Sequence, residues 1–239
     1  YVWDLAAPPD SEPLVLGRGG TGVGFRGAFG PGAEWLATSF GLDTIELWPL
    51  QRPWGHVFRG FASTIWRMAF TSDSRWLATC SMVEPVRLWP LDPADGRARD
   101  LAPKEACASL ATDPEGDRIL LGTFDARVLL LSTVGGPARP LLDSWWEGAD
   151  FTSPVAFDRH GDRAFAGPVG MGGLSDPQHR VFRVWDLETG REGIHSLADV
   201  TDAEWFGLQD AAFAPDGSLY VAGSGPVQRV VLPDEPGGS

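Results

Sequence analysis

A repeat near 40 residues long runs through this chain and constrains its fold more than any other feature. Six apolar tetrapeptides mark it: Val2-Trp3-Asp4-Leu5, Leu47-Trp48-Pro49-Leu50, Leu88-Trp89-Pro90-Leu91, Leu129-Leu130-Leu131-Ser132, Val184-Trp185-Asp186-Leu187 and Val230-Val231-Leu232-Pro233. Their second residues stand at 3, 48, 89, 130, 185 and 231, so the spacings are 45, 41, 41, 55 and 46. A second marker keeps the same beat: Ala28-Phe29, Ala69-Phe70, Ala111-Thr112, Ala156-Phe157 and Ala212-Phe213. A short polar turn follows each, clearest in Ala214-Pro215-Asp216-Gly217. Self-similarity at a fixed period of this size marks stacked structural repeats.

One unit, Gly60 to Leu91, shows what is repeated. Ile65-Trp66-Arg67-Met68-Ala69-Phe70 leads into the turn Thr71-Ser72-Asp73-Ser74-Arg75. Trp76-Leu77-Ala78-Thr79 follows, then Val86-Arg87-Leu88-Trp89. Apolar runs separated by turn residues predict consecutive antiparallel strands. A small sheet of this kind cannot bury both faces alone, but neighbours packed on each side make both faces core. That accounts for strands apolar almost throughout, and for 11 tryptophans filling the space between sheets.

The Trp-Asp pairs Trp3-Asp4 and Trp185-Asp186, the Pro215-Asp216-Gly217 turn and the 41-residue beat resemble the WD-repeat β-propeller family. The resemblance implies an all-β propeller of four-stranded blades, with about five to six blades present. The units would be a partial blade at 1–17, blades near 22–61, 62–103, 104–143 and 151–199, and a partial blade at 207–233, with 234–239 a flexible tail. Residues 1–17 supply two strands and 207–232 three, so the chain reads as a fragment of a seven-bladed or larger propeller. The alternative is a five-bladed ring in which Glu12–Leu16 completes the last sheet and Tyr1–Leu5 is redundant. Tyr1 opens inside an apolar run, which fits cut ends.

Some residues depart from the family pattern. The Gly-His pair that joins the family's buried hydrogen-bond network is replaced by Gly60-Phe61 and Gly19-Gly20. Gly55-His56 looks like the pair but falls in an outer strand. Asp43 and Asp125 stand where the network's turn aspartate would be, and Glu84 replaces it in the unit between. The blades are therefore expected to rest more on apolar packing than on a polar network.

Composition closes off several classes. The net charge of −13 would repel a phosphate backbone, so nucleic acid is not expected as a partner. The acids serve solubility, or form a face suited to a basic partner. No apolar run approaches a membrane span. Lys104 is the only lysine, and with many Ala, Gly and Pro this points to GC-rich coding and a bacterial source. Cys80 and Cys107 lie in apolar strand-like runs, so buried free thiols in a reducing, cytoplasmic compartment are expected rather than a disulfide framework.

Motifs of catalysis or cofactor binding are weak. Gly17-Arg18-Gly19-Gly20-Thr21-Gly22 matches a dinucleotide fingerprint, but the residues after it read as a strand, where pyrophosphate needs a helix N-terminus. Asp113-Pro114-Glu115-Gly116-Asp117 alternates acids as calcium loops do, yet falls on a turn where Asp and Gly are expected anyway. The related turn Asp158-Arg159-His160-Gly161-Asp162 reads likewise. His56, His160, His179 and His195 show no metal-ligand spacing, and no Gly-x-Ser-x-Gly elbow occurs. No cofactor and no metal are assigned, and the chain is not read as an enzyme.

The irregular spacing points to a surface. Extra residues fall at 143–150, at 168–180 and at 199–206, in connections that emerge on one face of a propeller, at the channel mouth. Two carry aromatic pairs among acids: Trp145-Trp146 beside Asp143, Glu147 and Asp150, and Trp205-Phe206 beside Glu204. Such anchors suit a protein or peptide partner; the bland alternative is that the rings fold back as caps. Trp66 begins a first strand near the same mouth and is more readily a packing residue. The expected function is a non-enzymatic interaction or sensor module of a larger signalling protein. An internal scaffold, or a propeller enzyme or ligand binder at the mouth, are the alternatives.

Overall fold

The structure is a computed structural model. It describes residues 26–40, 44–50, 56–59, 63–101, 105–143, 151–169, 181–196, 208–223 and 227–230, together with Val2 and Pro8. These residues form antiparallel sheets with two one-turn 3-10 segments. Among them, no helix is long and apolar enough to cross a membrane.

Five sheets follow one another along the chain, each with its strands in sequence order. Sheet I holds β1 (Arg26–Phe29), β2 (Trp35–Phe40), β3 (Thr44–Pro49) and β4 (His56–Arg59). Sheet II holds β5 (Ile65–Phe70), β6 (Trp76–Ser81), β7 (Arg87–Pro90) and β8 (Arg99–Asp100). Sheet III is built from β9 (Cys107–Thr112), β10 (Arg118–Thr123), β11 (Val128–Ser132) and β12 (Arg139–Leu142). Sheet IV is built from β13 (Phe151–Phe157), β14 (Arg163–Val169), β15 (Val181–Asp186) and β16 (Glu192–Ser196). Sheet V has three strands, β17 (Leu208–Phe213), β18 (Leu219–Gly223) and β19 (Gln228–Val230).

The repeat is visible bond by bond. In every sheet the turn after the first strand closes through one backbone pair: Gly30 N donates to Trp35 O, Thr71 N to Trp76 O, Asp113 N to Arg118 O, Asp158 N to Arg163 O and Ala214 N to Ser218 O, at 2.8–3.1 Å. An aspartate carboxylate caps four of these turns. Asp73 Oδ1 accepts from Arg75 N, Asp113 Oδ1 from Gly116 N and Arg118 N, Asp158 Oδ1 from Arg163 N, and Asp216 Oδ1 from Ser218 N. Asp and Gly sit here because a short carboxylate can satisfy turn amides locally.

Alternate residues of each strand face opposite neighbours. Leu77 and Trp89 of sheet II pack with Ala37, Ile45 and Leu47 of sheet I. Ala78 and Leu88, one residue along, pack with Ile119, Leu121 and Leu129 of sheet III. Leu120, Val128 and Leu130 meet Val155, Ala164 and Trp185 of sheet IV. Phe165, Phe182 and Val184 meet Leu219, Val221 and Val230 of sheet V. Sheets II, III and IV are thus cores on both faces, which is why their strands do not alternate apolar with polar.

The first strands make a row, β1 against β5, β5 against β9, β9 against β13, β13 against β17, with no comparable contact between β17 and β1. No closed ring is seen among the described residues.

Two expectations change. Cys80 on β6 and Cys107 on β9 are not free thiols; they form a disulfide between sheets II and III, with Cα atoms 5.8 Å apart. Each cysteine looked isolated within its own strand, because a sequence does not show that the second strand of one unit faces the first strand of the next. The thiol-based argument for a reducing compartment falls with this bond. Polar pairs also occur inside the sheets: Trp48 Nε1 donates to Thr38 Oγ1 (2.9 Å) and Trp89 Nε1 to Thr79 Oγ1 (3.0 Å). Asp125 serves its turn differently from the expected network, accepting from Thr123 Oγ1 and Arg127 Nε rather than feeding a tryptophan.

Candidate functional site: the rim where the first strands begin

The sheets are irregular at one end. The pairing of first with second strand slips between Ile65 and Arg67, between Gly122 and Thr123, between Thr152 and Val155, and between Leu208 and Asp210. All four slips lie near the start of a first strand, so they share one rim. Bulges re-aim side chains and collect beside functional surfaces.

Trp66 lies in the first of these bulges. Its ring is flanked by the Arg26 guanidinium, 5.7 Å from the ring centroid, and by the edge of Phe124, 5.6 Å away at 64°. Arg26 comes from sheet I and Phe124 from the turn between β10 and β11. The half-buried indole therefore bridges three consecutive sheets. Its Nε1 is buried with no hydrogen-bond partner among the described residues, and so is Ser63 Oγ three residues earlier. A buried donor left unpaired costs on the order of 1–3 kcal/mol.

Arg67 is next to it, half-buried, with Nη1 donating to Trp66 O at 3.0 Å. Burial pushes its guanidinium below the usual range, repulsion from Arg26 lowers it further, and attraction to Asp210 works the other way. Arg26, Arg67 and Asp210 each stand three residues before the aromatic that ends their first strand, Phe29, Phe70 and Phe213. The sequence reading overlooked this set. The signal was available: a charge at one fixed position of an otherwise apolar strand, in three of the five units.

The opposite end carries a groove of about 430 Å³ between sheets II and III. Its wall holds the Arg75–Asp95 ion pair (2.5 Å) and Arg99 stacked 4.4 Å above the Trp76 ring. Asp113, Glu115 and Asp117, whose carboxylate oxygens lie within 4.8 Å of one another, are close by. Such a cluster could hold a cation, but Asp113 is already engaged, with its Oδ2 accepting from Arg118 Nε at 2.8 Å. The neighbouring Asp113 carboxylate pushes the Asp117 carboxyl above the usual value.

Of the residues singled out from sequence, Trp66 is in a packed position with one edge function left open. Trp145, Trp146, Glu147, Asp150, Trp205 and Phe206 lie outside the described residues, as do Glu204, Asp43, Glu12–Leu16 and the glycine-rich Gly17–Gly22. Asp143 is described and exposed. His160 Nε2 accepts from Arg159 Nε, and His195 stacks on Phe182 at 5.1 Å, where burial pushes its imidazole below the usual value.

No protein-family model matches the chain, and no curated protein matches it.

Proposed function

We propose that this chain is part of a WD-repeat-like β-propeller that works as a non-enzymatic interaction module. On this reading a protein or peptide docks at the rim where the first strands begin. The supporting observation is the bulged Trp66, held between Arg26 and Phe124 with an indole N–H that is unpaired among the described residues. An aromatic anchor with one unsatisfied donor is what an interface hot spot offers a partner. The row of first strands and the turn bond repeated in all five sheets support the propeller. The loops carrying Trp145, Trp146, Trp205 and Phe206 would border the same rim on this fold.

The test is a chemical cross-linking capture from the source cell, with partners identified by mass. Wild type is compared with Trp66→Ala, Phe124→Ala and the opposite-end control Val134→Ala. Loss of one partner in the first two only supports the rim. An identical partner set in all four proteins sinks it.

A second reading has its own observation. Phe29, 58% exposed, and Tyr220, 38% exposed, lie on the two terminal sheets. Apolar surface there suits packing against the rest of a longer signalling chain, as an internal scaffold would need. Restoring natural flanks would then protect both rings from solvent.

A further inference from the structure

We propose that the groove between sheets II and III, at the end opposite the rim, binds a small zwitterion of the amino-acid class, its carboxylate on Arg99 and its ammonium on Glu115 and Asp117. The two walls carry unlike charge. On the sheet II wall the Arg99 guanidinium stacks on the Trp76 ring at 4.4 Å, and its Nε is buried with no hydrogen-bond partner among the described residues. Its neighbour Arg75 is already paired with Asp95 at 2.5 Å. On the sheet III wall Glu115 and Asp117 are exposed. Asp117 shares Arg118 with Asp113, at 3.5 Å against 2.8 Å, and Glu115 closes no ion pair among the described residues. Arg99 and Glu115 thus line one groove without bridging it. A planar guanidinium matches a carboxylate best, and the opposite wall asks for a cation.

Both walls are set before a ligand arrives. Trp76 is buried and holds the plane of the guanidinium. On the other side Asp113 Oδ1 accepts from Gly116 N and Arg118 N, while Thr133 N and Oγ1 both donate to Asp117 O. Preorganised groups lose less freedom on binding. The Asp113 carboxylate pushes the Asp117 carboxyl up, so a ligand ammonium would relieve a repulsion present in the free protein. Neither charge serves alone. An anion by itself would face two carboxylates, and a cation by itself would leave Arg99 Nε unanswered. A bare divalent ion would answer the acids and face the guanidinium. The volume of about 430 Å³ lies in the range of small-ligand sites.

The experiment titrates the chain calorimetrically with alanine, the dipeptide Ala-Ala, alanine amide, N-acetylalanine and calcium chloride. A zwitterion is expected to bind about tenfold tighter than either the amide or the acetylated acid, which carry one charge each. Whether alanine or Ala-Ala does so shows whether a free amino acid or a short peptide with both termini is taken. Arg99→Gln should lower the zwitterion to the level of the amide, and Glu115→Gln to the level of the acetylated acid. Glu115 is exposed, so its variant keeps the fold, and the wild-type comparison decides even if Arg99→Gln does not fold. Alanine amide binding as tightly as the zwitterions overturns the inference in favour of a cation site. N-acetylalanine doing so overturns it in favour of an anion site. Binding of calcium alone overturns it in favour of a metal on the acidic cluster, and no heat from any probe overturns it outright. The rim reading stands apart from all of these outcomes, since Trp66 lies at the other end of the sheets.

Discussion

At the scale of single residues, hydroxyls and carboxylates inside an apolar repeat decide local stability. Thr79 is buried and accepts the N–H of buried Trp89. Thr79→Val should cost about 1–2 kcal/mol, because the indole N–H loses its partner where water cannot replace it. Thr38→Val should cost less than half as much, since Trp48 is only half-buried and water can reach it. Urea midpoints of the two variants check the order, and equal losses would refute the argument. Asp117 gives a test with the opposite sign. Its folded carboxyl is raised by the neighbouring Asp113 carboxylate, so its charge works against the fold at neutral pH. Asp117→Asn should therefore raise stability at pH 7. The gain should fade as pH falls through the raised value and vanish below the ordinary carboxylate range, near pH 4. A gain that persists in acid would exclude this cause. Sequence reasoning reached the turn aspartates because local chemistry places them. It missed the setting of Arg67, whose guanidinium feels Arg26 and Asp210 from other sheets.

At the scale of elements, strand pairing was legible and the links between sheets were not. The run from Ile65 to Arg75 and on to Thr79 is a hairpin, as its apolar runs and turn residues imply. Periodicity carries that signal because one sheet is a local object. The slips at Ile65/Arg67 and Leu208/Asp210 left no trace in the pattern, since one extra residue does not disturb a short apolar run. Cross-sheet bonds were equally hidden: Thr112 Oγ1 donates to Phe70 O (2.7 Å) and Ser109 Oγ to Thr152 O (2.9 Å). The Cys80–Cys107 bond belongs to the same class. It closes a loop with a sequence separation of 27, which in the chain-entropy account stabilises by about 3.5 kcal/mol. Reduction under denaturing equilibrium should lower stability by about that amount. Cys80→Ala/Cys107→Ala should be insensitive to reductant, and a wild type equally insensitive would argue against the bond. Both cysteines are buried, so native-state reduction should be slow and should follow opening of sheets II and III.

At the scale of the whole molecule, stability should grade from the middle of the row to its ends. Sheets II, III and IV have neighbours on both faces, while sheets I and V carry exposed Phe29 and Tyr220. In a stacked repeat each unit draws its stability from the units it touches. Amide hydrogen exchange should be slowest in β9, β10, β13 and β14 and fastest in β1 and β19. Uniform protection across all five sheets would point instead to a single cooperative block. The overall class was readable because a repeat announces itself many times over. Ring closure was not, since it depends on how sheets wedge together rather than on any one of them. The covalent link between sheets II and III also makes the chain an uneven thread under tension. Pulled by its ends until every strand is unzipped, it would hold the residues between Cys80 and Cys107 out of the line of force. Roughly 90 Å of contour would stay hidden until a thiol released it, and a single-molecule trace would show that length as a missing final step.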